Sequence, residues 1–401
     1  MTAHNPDLII RIAARGDGVT GDGRHVPLSA PGDRLDSAGQ LVPGPHHVTP
    51  PCRHFPQCGG CQIQQIDEQS LAEFVTQRVV GTLAGQGVHA DAVHAAHLSP
   101  PHSRRRASLR AVRAGKSVQF GFSEEASHKI VDLSECHILR PELFALVSPL
   151  RALLKSLIAD RKGAQAHMTL IDRGVDLVLE GVAVDGLAAA EGLSEFAQQH
   201  GLARLSIDKG HGVETRWEPE GATITLGGVP VPFPAHAFLQ ATQDGEQALI
   251  DAARAATADH GVIADLFAGL GTFALGLGEG KKVYAAEAGK AAILSLKGAA
   301  ARHGRFVGAD HRDLFRRPLT PEELNRFGAV VLDPPRAGAR EQVAQLAQAK
   351  VPAVAYVSCN PSSFARDAKT LVEGGYRLES VTPVGQFRWS THVELAGIFR
   401  R

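Results

Sequence analysis

Short apolar runs alternate with helix-length segments from about residue 262 to the end of the chain. The runs are GVIADLF, KKVYAAE, GAVVLD and PAVAYVSC. Continuously apolar strands separated by helices are typical of a parallel sheet covered by helices on both faces. The C-terminal part of the chain therefore predicts a doubly wound α/β domain.

The N-terminal part has a different pattern. Residues 5–36 alternate β-like runs at 8–10, 18–19, 25–27 and 33–35 with Gly and Pro-Gly turns, which predicts a small strand-rich barrel. Residues 37–51 are rich in Pro, Gly and His and predict a linker. Apolar residues at helical spacing then predict one helix from about 67 to 83 and a second over 141–159.

The charge is balanced overall and uneven locally. The chain has 401 residues and a formal net charge of +0, so no global field indicates a polyanionic partner. Residues 92–123 contain no acid, however, and six cations crowd into this stretch: Arg104, Arg105, Arg106, Arg110, Arg113 and Lys116. Such a run predicts either a phosphate-binding surface or a solvated face.

Cysteine usage depends on the compartment. The N-terminus lacks the apolar core of a secretory signal, and no uninterrupted apolar stretch is long enough to span a membrane. We therefore expect a cytoplasmic protein, in which clustered cysteines usually indicate metal binding or catalysis. Cys52, Cys58 and Cys61 have the spacing C-x5-C-x2-C, and Cys136 lies in DLSECHIL. Four thiolates fit either zinc or an iron–sulfur cluster, and the spacing leaves both open.

The fifth cysteine is placed differently. In VPAVAYVSCNPSSFARD, Cys359 follows an apolar strand and precedes an Asn-Pro turn, after which Ser362 or Ser363 is predicted to cap a helix beginning at Phe364. The N-terminus of that helix would lower the pKa of the thiol and favour a nucleophilic thiolate.

Two further corners follow strands of the same predicted sheet. In ADLFAGLGTFAL, Gly269 and Gly271 allow close approach of a ligand, and Glu287, 22 residues after Asp265, is placed to bind ribose hydroxyls. The glycines alone leave NAD, FAD and S-adenosylmethionine open. In VLDPPRAG, two prolines fix Asp333 at the carboxyl end of the sheet, where open α/β folds bind ligands.

These segments occur in the order found in a known family. With FLQAT, RDLF, SCNP and HVELAGIF, the chain resembles the RNA uracil-5-methyltransferases, and among them the iron–sulfur enzymes that act on bacterial 23S ribosomal RNA. The resemblance implies a short TRAM-like β-barrel and linker at 1–50, a central iron–sulfur α+β domain with a basic RNA-facing segment at 51–235, and a class I (Rossmann-like) methyltransferase domain at 236–401. We expect a monomer whose partner is RNA.

The resemblance also implies roles for individual residues. Cys359 would add to C6 of uracil, and Glu394 would remove the proton from C5. Period-2 alternation in HVELAGIF places Glu394 on the face of His392, in apolar surroundings that raise the pKa of a carboxyl. The four clustered cysteines would hold a [4Fe–4S] cluster. Contacts to S-adenosylmethionine fall on Gln240, Phe267, Thr272, Glu287, Asp313 and Asp333.

Three alternatives remain. The same reaction on a T-loop uridine of transfer RNA changes only the substrate. An NAD-dependent oxidoreductase with an electron-carrying cluster agrees with GLGTFA but leaves DPPR and SCNP unexplained. A noncatalytic RNA-binding protein would have no use for a thiol at a strand end beside a cofactor pocket.

Overall fold

The computed structural model of the protein describes residues 5–401. Its strands are β1 (Ile9–Ile12), β2 (Gly18–Thr20), β3 (His25–Val26), β4 (Arg34–Leu35), β5 (Leu41–Val42), β6 (Ala92–Val93), β7 (His97–Leu98), β8 (Arg106–Ala114), β9 (Ser117–Gly121), β10 (Gly163–Ile171), β11 (Gly174–Glu180), β12 (Arg204–Asp208), β13 (Val213–Trp217), β14 (Thr223–Leu226), β15 (Val229–Pro232), β16 (Val262–Leu266), β17 (Lys282–Glu287), β18 (Val307–His311), β19 (Ala329–Leu332), β20 (Ala353–Ser358), β21 (Arg377–Gly385) and β22 (Glu394–Arg400). Its helices are α1 (Glu68–Ala84), α2 (Pro141–Phe144), α3 (Val147–Leu157), α4 (Leu187–Gln199), α5 (Gln243–Thr257), α6 (Thr272–Gly276), α7 (Lys290–Arg302), α8 (Pro321–Leu324), α9 (Arg340–Gln348) and α10 (Pro361–Glu373). Within this part of the chain, none of the helices is long and apolar enough to cross a membrane.

The C-terminal sheet has the order β18-β17-β16-β19-β20-β22-β21-β6, and β7 also pairs with β21. Strands β16 to β20 pair in parallel, and β22 runs antiparallel to β20. This confirms the predicted doubly wound α/β domain. The strand order reverses between β16 and β19, so the loops after these two strands border the crevice in which such sheets bind ligands.

The apolar runs are continuous because both faces of the sheet are covered. All residues of β19 and β20 are buried. Along β20, Val354 and Tyr356 pack in one hydrophobic core with Phe364 of α10, while Ala355 and Val357 pack in a second core with Leu249 of α5. The alternation of side chains between the faces thus places a helix on each side.

The central part forms a six-stranded sheet of order β13-β12-β11-β10-β8-β9. One face of β8 is apolar, with Leu109 and Ala111 buried in a core that also holds Leu150 and Leu154 of α3. The other face carries Arg106, Ser108 and Arg110, which follow the same period of two. This sheet therefore presents one polar face that is not packed into that core.

The central and C-terminal parts interlock. β6 and β7, at residues 92–98, complete the edge of the C-terminal sheet by parallel pairing with β21. The β14–β15 hairpin shares the second core with α5 and α7. Chain segments from each part therefore contribute to the structure of the other part.

The N-terminal part contains the strands expected from its pattern. β1, β2 and β3 form one antiparallel sheet, β4 and β5 form a hairpin, and a bridge between Leu8 and Arg34 connects the two. The predicted linker at 37–51 is not free of structure, because β5 lies within it. α1 matches the predicted helix, and Asp67 caps it by accepting a hydrogen bond from the backbone N–H of Ser70.

Two predicted helices were wrong in their bounds. The helix over 141–159 is two helices, α2 and α3, because Pro149 has no N–H to bond to Ala145 and is tolerated only in the first turn of α3. α10 begins at Pro361 rather than Phe364. Its cap is Asn360, which accepts from the N–H of Ser362 at 3.1 Å, because proline favours the first helical position and asparagine the cap.

A buried ion pair connects the central and C-terminal parts. Arg105 donates to Oε2 of Glu246 on α5 at 2.7 Å, and both side chains are less than a tenth exposed. Arg105 also donates to the backbone oxygen of Gln240 at 3.1 Å. Removal of one partner leaves the other charge buried without compensation.

We expect Arg105→Ala to lower the free energy of unfolding by about 3–5 kcal/mol. Arg254→Ala is the matched control, since it removes an exposed ion pair with Asp251 on the same helix and should cost less than about 1 kcal/mol. Urea unfolding of the two variants measures the difference. Equal losses would show that the buried pair does not hold the two parts together.

Candidate active site

One cavity of about 540 Å³ opens at the carboxyl end of the C-terminal sheet. All eight residues that the sequence predicts for catalysis or methyl-donor binding line it, together with Phe238, Phe315 and Arg336. The eight come from seven separate segments of the chain: Gln240; Phe267 and Thr272; Glu287; Asp313; Asp333; Cys359; and Glu394.

The glycine turn after β16 is held open by the next strand. Glu287 accepts hydrogen bonds from the backbone N–H of Gly269 at 3.0 Å and of Gly289 at 2.6 Å. Gly269 has a φ of +55°, and a Cβ on it would meet no atom within 4 Å. Each carboxylate oxygen of Glu287 retains a lone pair, so the side chain can still accept hydrogen bonds from hydroxyl groups of a ligand.

An aromatic pair stands at one side of the cavity. Phe267 has a φ of +65°, which is strained for a residue with a Cβ, and its ring centroid lies 5.5 Å from that of Phe315. The ring lines the cavity and also packs against the edge of the first hydrophobic core. The pair offers a flat apolar surface to a planar ligand group.

Amide side chains connect the two ends of the cavity. Gln240 donates to Oδ2 of Asp333 at 3.3 Å and accepts from Gln386 at 2.8 Å. Gln386 in turn accepts from the backbone N–H of Ala241 at 2.9 Å, and its side chain is near enough to Glu394 to oppose the rise in the pKa of that carboxyl. Sequence reasoning missed Gln386, because a single glutamine in a loop between two strands carries no local signal.

Cys359 and Glu394 lie at the same end of two paired strands. β20 and β22 are antiparallel with Ser358 opposite Leu395, so the residue that follows β20 lies beside the residue that begins β22. Cys359 is partly exposed to the cavity, whereas Glu394 is buried. The structure therefore brings the predicted nucleophile and the predicted base together.

The surroundings of Glu394 favour its neutral form. Burial raises the pKa of this carboxyl to about 7, against the opposing effects of the Gln386 side chain and the charges of Arg106 and Arg336. The raised pKa of Glu394 agrees with the sequence prediction. The predicted position of His392 on the same face of the strand does not. β22 begins only at Glu394, so His392 lies outside the strand and is exposed.

The expected effect of the helix N-terminus on Cys359 was wrong. Burial, followed by the negative charges of Glu394 and Asp333, raises the pKa of this thiol to about 11. Arg336 acts in the opposite direction without overcoming them. Cys359 also lies before the Asn360 cap and not in the first turn, where the dipole of α10 is felt most.

The predicted basic run does not form one surface. Arg105 is paired with Glu246, and Arg113 donates to the backbone oxygen of Ile158 at 2.9 Å. Arg106 lies with its guanidinium carbon 4.5 Å from the ring centroid of Phe238, and its pKa is lowered to about 10, first by burial. Of the run, Arg106 is thus the member whose charge acts on Glu394 and Cys359 at the cleft.

The four clustered cysteines share a second, separate cavity. Cys52, Cys58, Cys61 and Cys136 all line it, and burial raises the pKa of each thiol, that of Cys61 to about 12. Within residues 5–401, no three of these sulfur atoms all lie within 4.8 Å of one another. Because all four thiols line this cavity, they can serve as ligands of one soft metal centre, either zinc or an iron–sulfur cluster. Arg104 lies close enough for its charge to interact with Cys136 and Cys61, and it would compensate anionic ligands.

Comparison with known proteins agrees with this arrangement. The family model for tRNA (uracil-5-)-methyltransferase matches residues 310–401. The chain is 52% identical over 98% of its length to an uncharacterised RNA methyltransferase of Zymomonas mobilis, of which it covers 99%. It is 30% identical over 90% of its length to the 23S rRNA (uracil(1939)-C(5))-methyltransferase RlmD of Erwinia tasmaniensis, of which it covers 84%.

A solved structure has the same fold along nearly the whole chain. The Pyrococcus abyssi tRNA (uracil-54, C5)-methyltransferase, in complex with S-adenosyl-L-homocysteine, superposes with a TM-score of 0.73. The alignment covers 98% of this chain and 99% of that one at 20% identity. The mixed α/β methyltransferase fold is therefore shared at low sequence identity.

The pKa of Cys359 is open to a direct test. Glu394→Gln removes the largest charge that opposes ionisation of the thiol, so the pKa of Cys359 should fall and its alkylation by iodoacetamide at pH 8 should become faster. The pH dependence of alkylation, followed by mass spectrometry of the Cys359 peptide, measures the shift. Glu379→Gln is the control, because this acid pairs with Arg400. Identical profiles in both variants would show that Glu394 does not act on the thiol.

Proposed function

Because the chain belongs to the RNA uracil-5-methyltransferase family, we propose that it methylates C5 of one uridine in 23S ribosomal RNA with S-adenosylmethionine as the methyl donor. The observation that carries the proposal is the convergence of Cys359 and Glu394 beside the glycine turn and Glu287 in one cleft. The RlmD relative supports the ribosomal substrate at 30% identity, whereas the transfer RNA enzyme is similar in fold.

The cavity has the features that the methyl donor requires. Glu287 would accept hydrogen bonds from the ribose hydroxyls. Phe267 and Phe315 would contact the adenine ring. Gln240, Thr272, Asp313 and Asp333 line the remainder, where polar groups of the donor would be held. The bound donor supplies an electrophilic methyl group on a sulfonium.

The chain's own residues would perform the addition and elimination. The thiol of Cys359 first loses its proton to solvent. The thiolate then bonds to C6 of uracil, and the C5–C6 π electrons move into an enolate that makes C5 nucleophilic. C5 takes the methyl group and S-adenosylhomocysteine is released. Glu394 then removes the C5 proton, the C5–C6 double bond re-forms, and the bond between C6 and sulfur breaks.

The electrostatics of the cleft suit these proton transfers. A carboxyl with a pKa of about 7 is partly ionised at neutral pH and can accept a proton, and a neutral thiol does not react prematurely. Arg336 favours ionisation of Cys359. Its cation would balance the thiolate when the target base, turned out of its stack, fills the cleft and excludes water.

We further propose that Cys52, Cys58, Cys61 and Cys136 hold a [4Fe–4S] cluster as a structural element. The division into an N-terminal TRAM-like module at 1–50, a central iron–sulfur domain at 51–235 and a methyltransferase domain at 236–401 belongs to the same proposal. The small sheets of β1–β3 and β4–β5 support the first of these.

Substrate and nucleophile are tested together. The wild-type protein should methylate 23S ribosomal RNA isolated from a strain that lacks the gene, and should leave a transfer RNA T-loop unmodified. RNA with 5-fluorouridine at the target should form a covalent adduct, because no C5 proton can be removed. Cys359→Ala should lose more than about 10³-fold in methyl transfer and form no adduct, while S-adenosylhomocysteine binding by calorimetry stays unchanged.

Three outcomes would contradict the proposal. Methylation of the T-loop in preference to 23S RNA would assign the enzyme to transfer RNA. Turnover by Cys359→Ala would exclude this thiol as the nucleophile. Absence of the fluorinated adduct from an enzyme that methylates normal RNA would exclude addition at C6.

The cluster is tested by metal analysis. Protein purified without oxygen should contain iron and acid-labile sulfide in equal amounts and absorb broadly near 400 nm. Cys136→Ala should lose most of this iron, because a thiolate ligand is removed, whereas Cys359→Ala should retain it as the matched control. Stoichiometric zinc in place of iron at the four cysteines would overturn the assignment.

A further inference from the structure

A group of histidines and acids lies on the polar face of the central sheet, away from the four cysteines. His167 is on β10, Glu180 ends β11 and Asp208 ends β12, and Glu180 is paired directly with Asp208 in the parallel register of β11 and β12. His236 comes from the segment between β15 and α5 and folds onto them. Four separate segments thus converge on one place.

The ligand-type atoms of this group are close together. Nε2 of His167 lies 3.0 Å from Oε1 of Glu180, and Nε2 of His236 lies 3.9 Å from the same oxygen. Those three atoms all lie within 4.8 Å of one another. Nε2 of His236 is also 3.2 Å from Oδ2 of Asp208.

Hydrogen bonding does not account for His167. Its Nε2 is buried and has no hydrogen-bond partner, because the nearby Glu180 oxygen is out of line for an N–H bond. Its Nδ1 already lies 2.8 Å from the hydroxyl of Ser108. If that nitrogen carries the proton, Nε2 has a free lone pair that faces a carboxylate.

We propose that His167, Glu180 and His236 bind a divalent transition-metal ion of the zinc class, with Asp208 as the fourth ligand. Bonds of about 2.0–2.2 Å place the ligand atoms of a tetrahedral zinc site about 3.3–3.6 Å apart, which lies within the range of 3.0–3.9 Å seen here. Without an ion, the lone pair on Nε2 of His167 faces the carboxylate oxygen of Glu180 at 3.0 Å, which is repulsive. A cation between these two atoms would bind both and remove the repulsion. Two imidazoles and carboxylates are a donor set that zinc accepts, and the Ser108 bond to Nδ1 is the outer contact that fixes the tautomer of a metal-bound histidine.

Asp208 completes the set with a small movement. Its Oδ1 accepts from the backbone N–H of Gly210 at 2.7 Å, which leaves Oδ2 for the metal. Since Glu180 and Asp208 are paired residues on neighbouring strands, their side chains point to the same face and can reach one ion.

The position of His236 connects the proposed metal site with the cleft. His236 has a φ of +60° and precedes Phe238 and Gln240, which line the cleft, by two and four residues. A bound ion would therefore fasten this segment to the central sheet and hold Phe238 over Arg106. The metal would act as a positioning element for the cleft and take no part in the chemistry.

The test measures zinc in the full-length protein without a histidine tag. After equilibration with a small excess of zinc and removal of the free ion, His167→Gln and His236→Ala should each contain one zinc per chain fewer than the wild type. His89→Ala, which changes an exposed histidine, is the control and should equal the wild type. Circular dichroism verifies the fold of each variant. The zinc difference does not depend on methyl transfer, so it stands or falls separately from the proposed activity.

A second measurement covers loss of folding in the variants. Cobalt added to the wild-type protein should give weak visible bands without a thiolate charge-transfer band, which separates a nitrogen–oxygen site from the cysteines. These bands should vanish when zinc is added. Equal zinc content in wild type and folded variants, or a cobalt spectrum of thiolate type alone, would overturn the proposal.

Discussion

Removal of water from carboxyl groups at one end of the C-terminal sheet is the constraint on which the cleft depends. Asp265 and Glu394 are buried there and Asp333 is half-buried, and loss of contact with water raises the pKa of each of these carboxyls. Three ionised acids so close together would repel one another, so at least part of the set is kept neutral. The amides of Gln240 and Gln386 suit this state, because an amide can donate to an ionised oxygen or accept from a protonated one.

The same constraint affects the ionisation of the other groups in the cleft. Cys359 is the group next to these acids that remains partly open to the cavity, and its ionisation is coupled to theirs. Arg106 and Arg336 arrive from different parts of the chain and supply positive charge near Glu394. Arg106 belongs to the central sheet, so the electrostatics of the C-terminal cleft are completed by another part of the molecule.

Sequence patterns were informative where physics is local. The buried runs identified β16, β17, β19 and β20, and the resemblance to the methyltransferase family supplied eight residues that meet in one cavity. The patterns failed where a property of a residue depends on groups that are distant in the chain. The pKa of Cys359 is raised first by burial and then by the charge of Glu394 across a strand pair, and Gln386 acts through partners far away in the chain. The basic run suggested one surface, because a linear sequence does not show which side chains strand alternation turns to another face. It also does not show which of them are taken up in ion pairs. The group around His167 was likewise invisible, because its members are scattered over 70 residues.

The pairing of β6 and β7 with β21 has a consequence for protein engineering. Residues 92–98 protect what would otherwise be an open flank of the methyltransferase sheet. A fragment cut at residue 236 would present the backbone N–H and C=O groups of β21 to other molecules, as an unprotected edge strand does. The C-terminal half is thus not a transplantable module unless residues 92–98 are carried along with it.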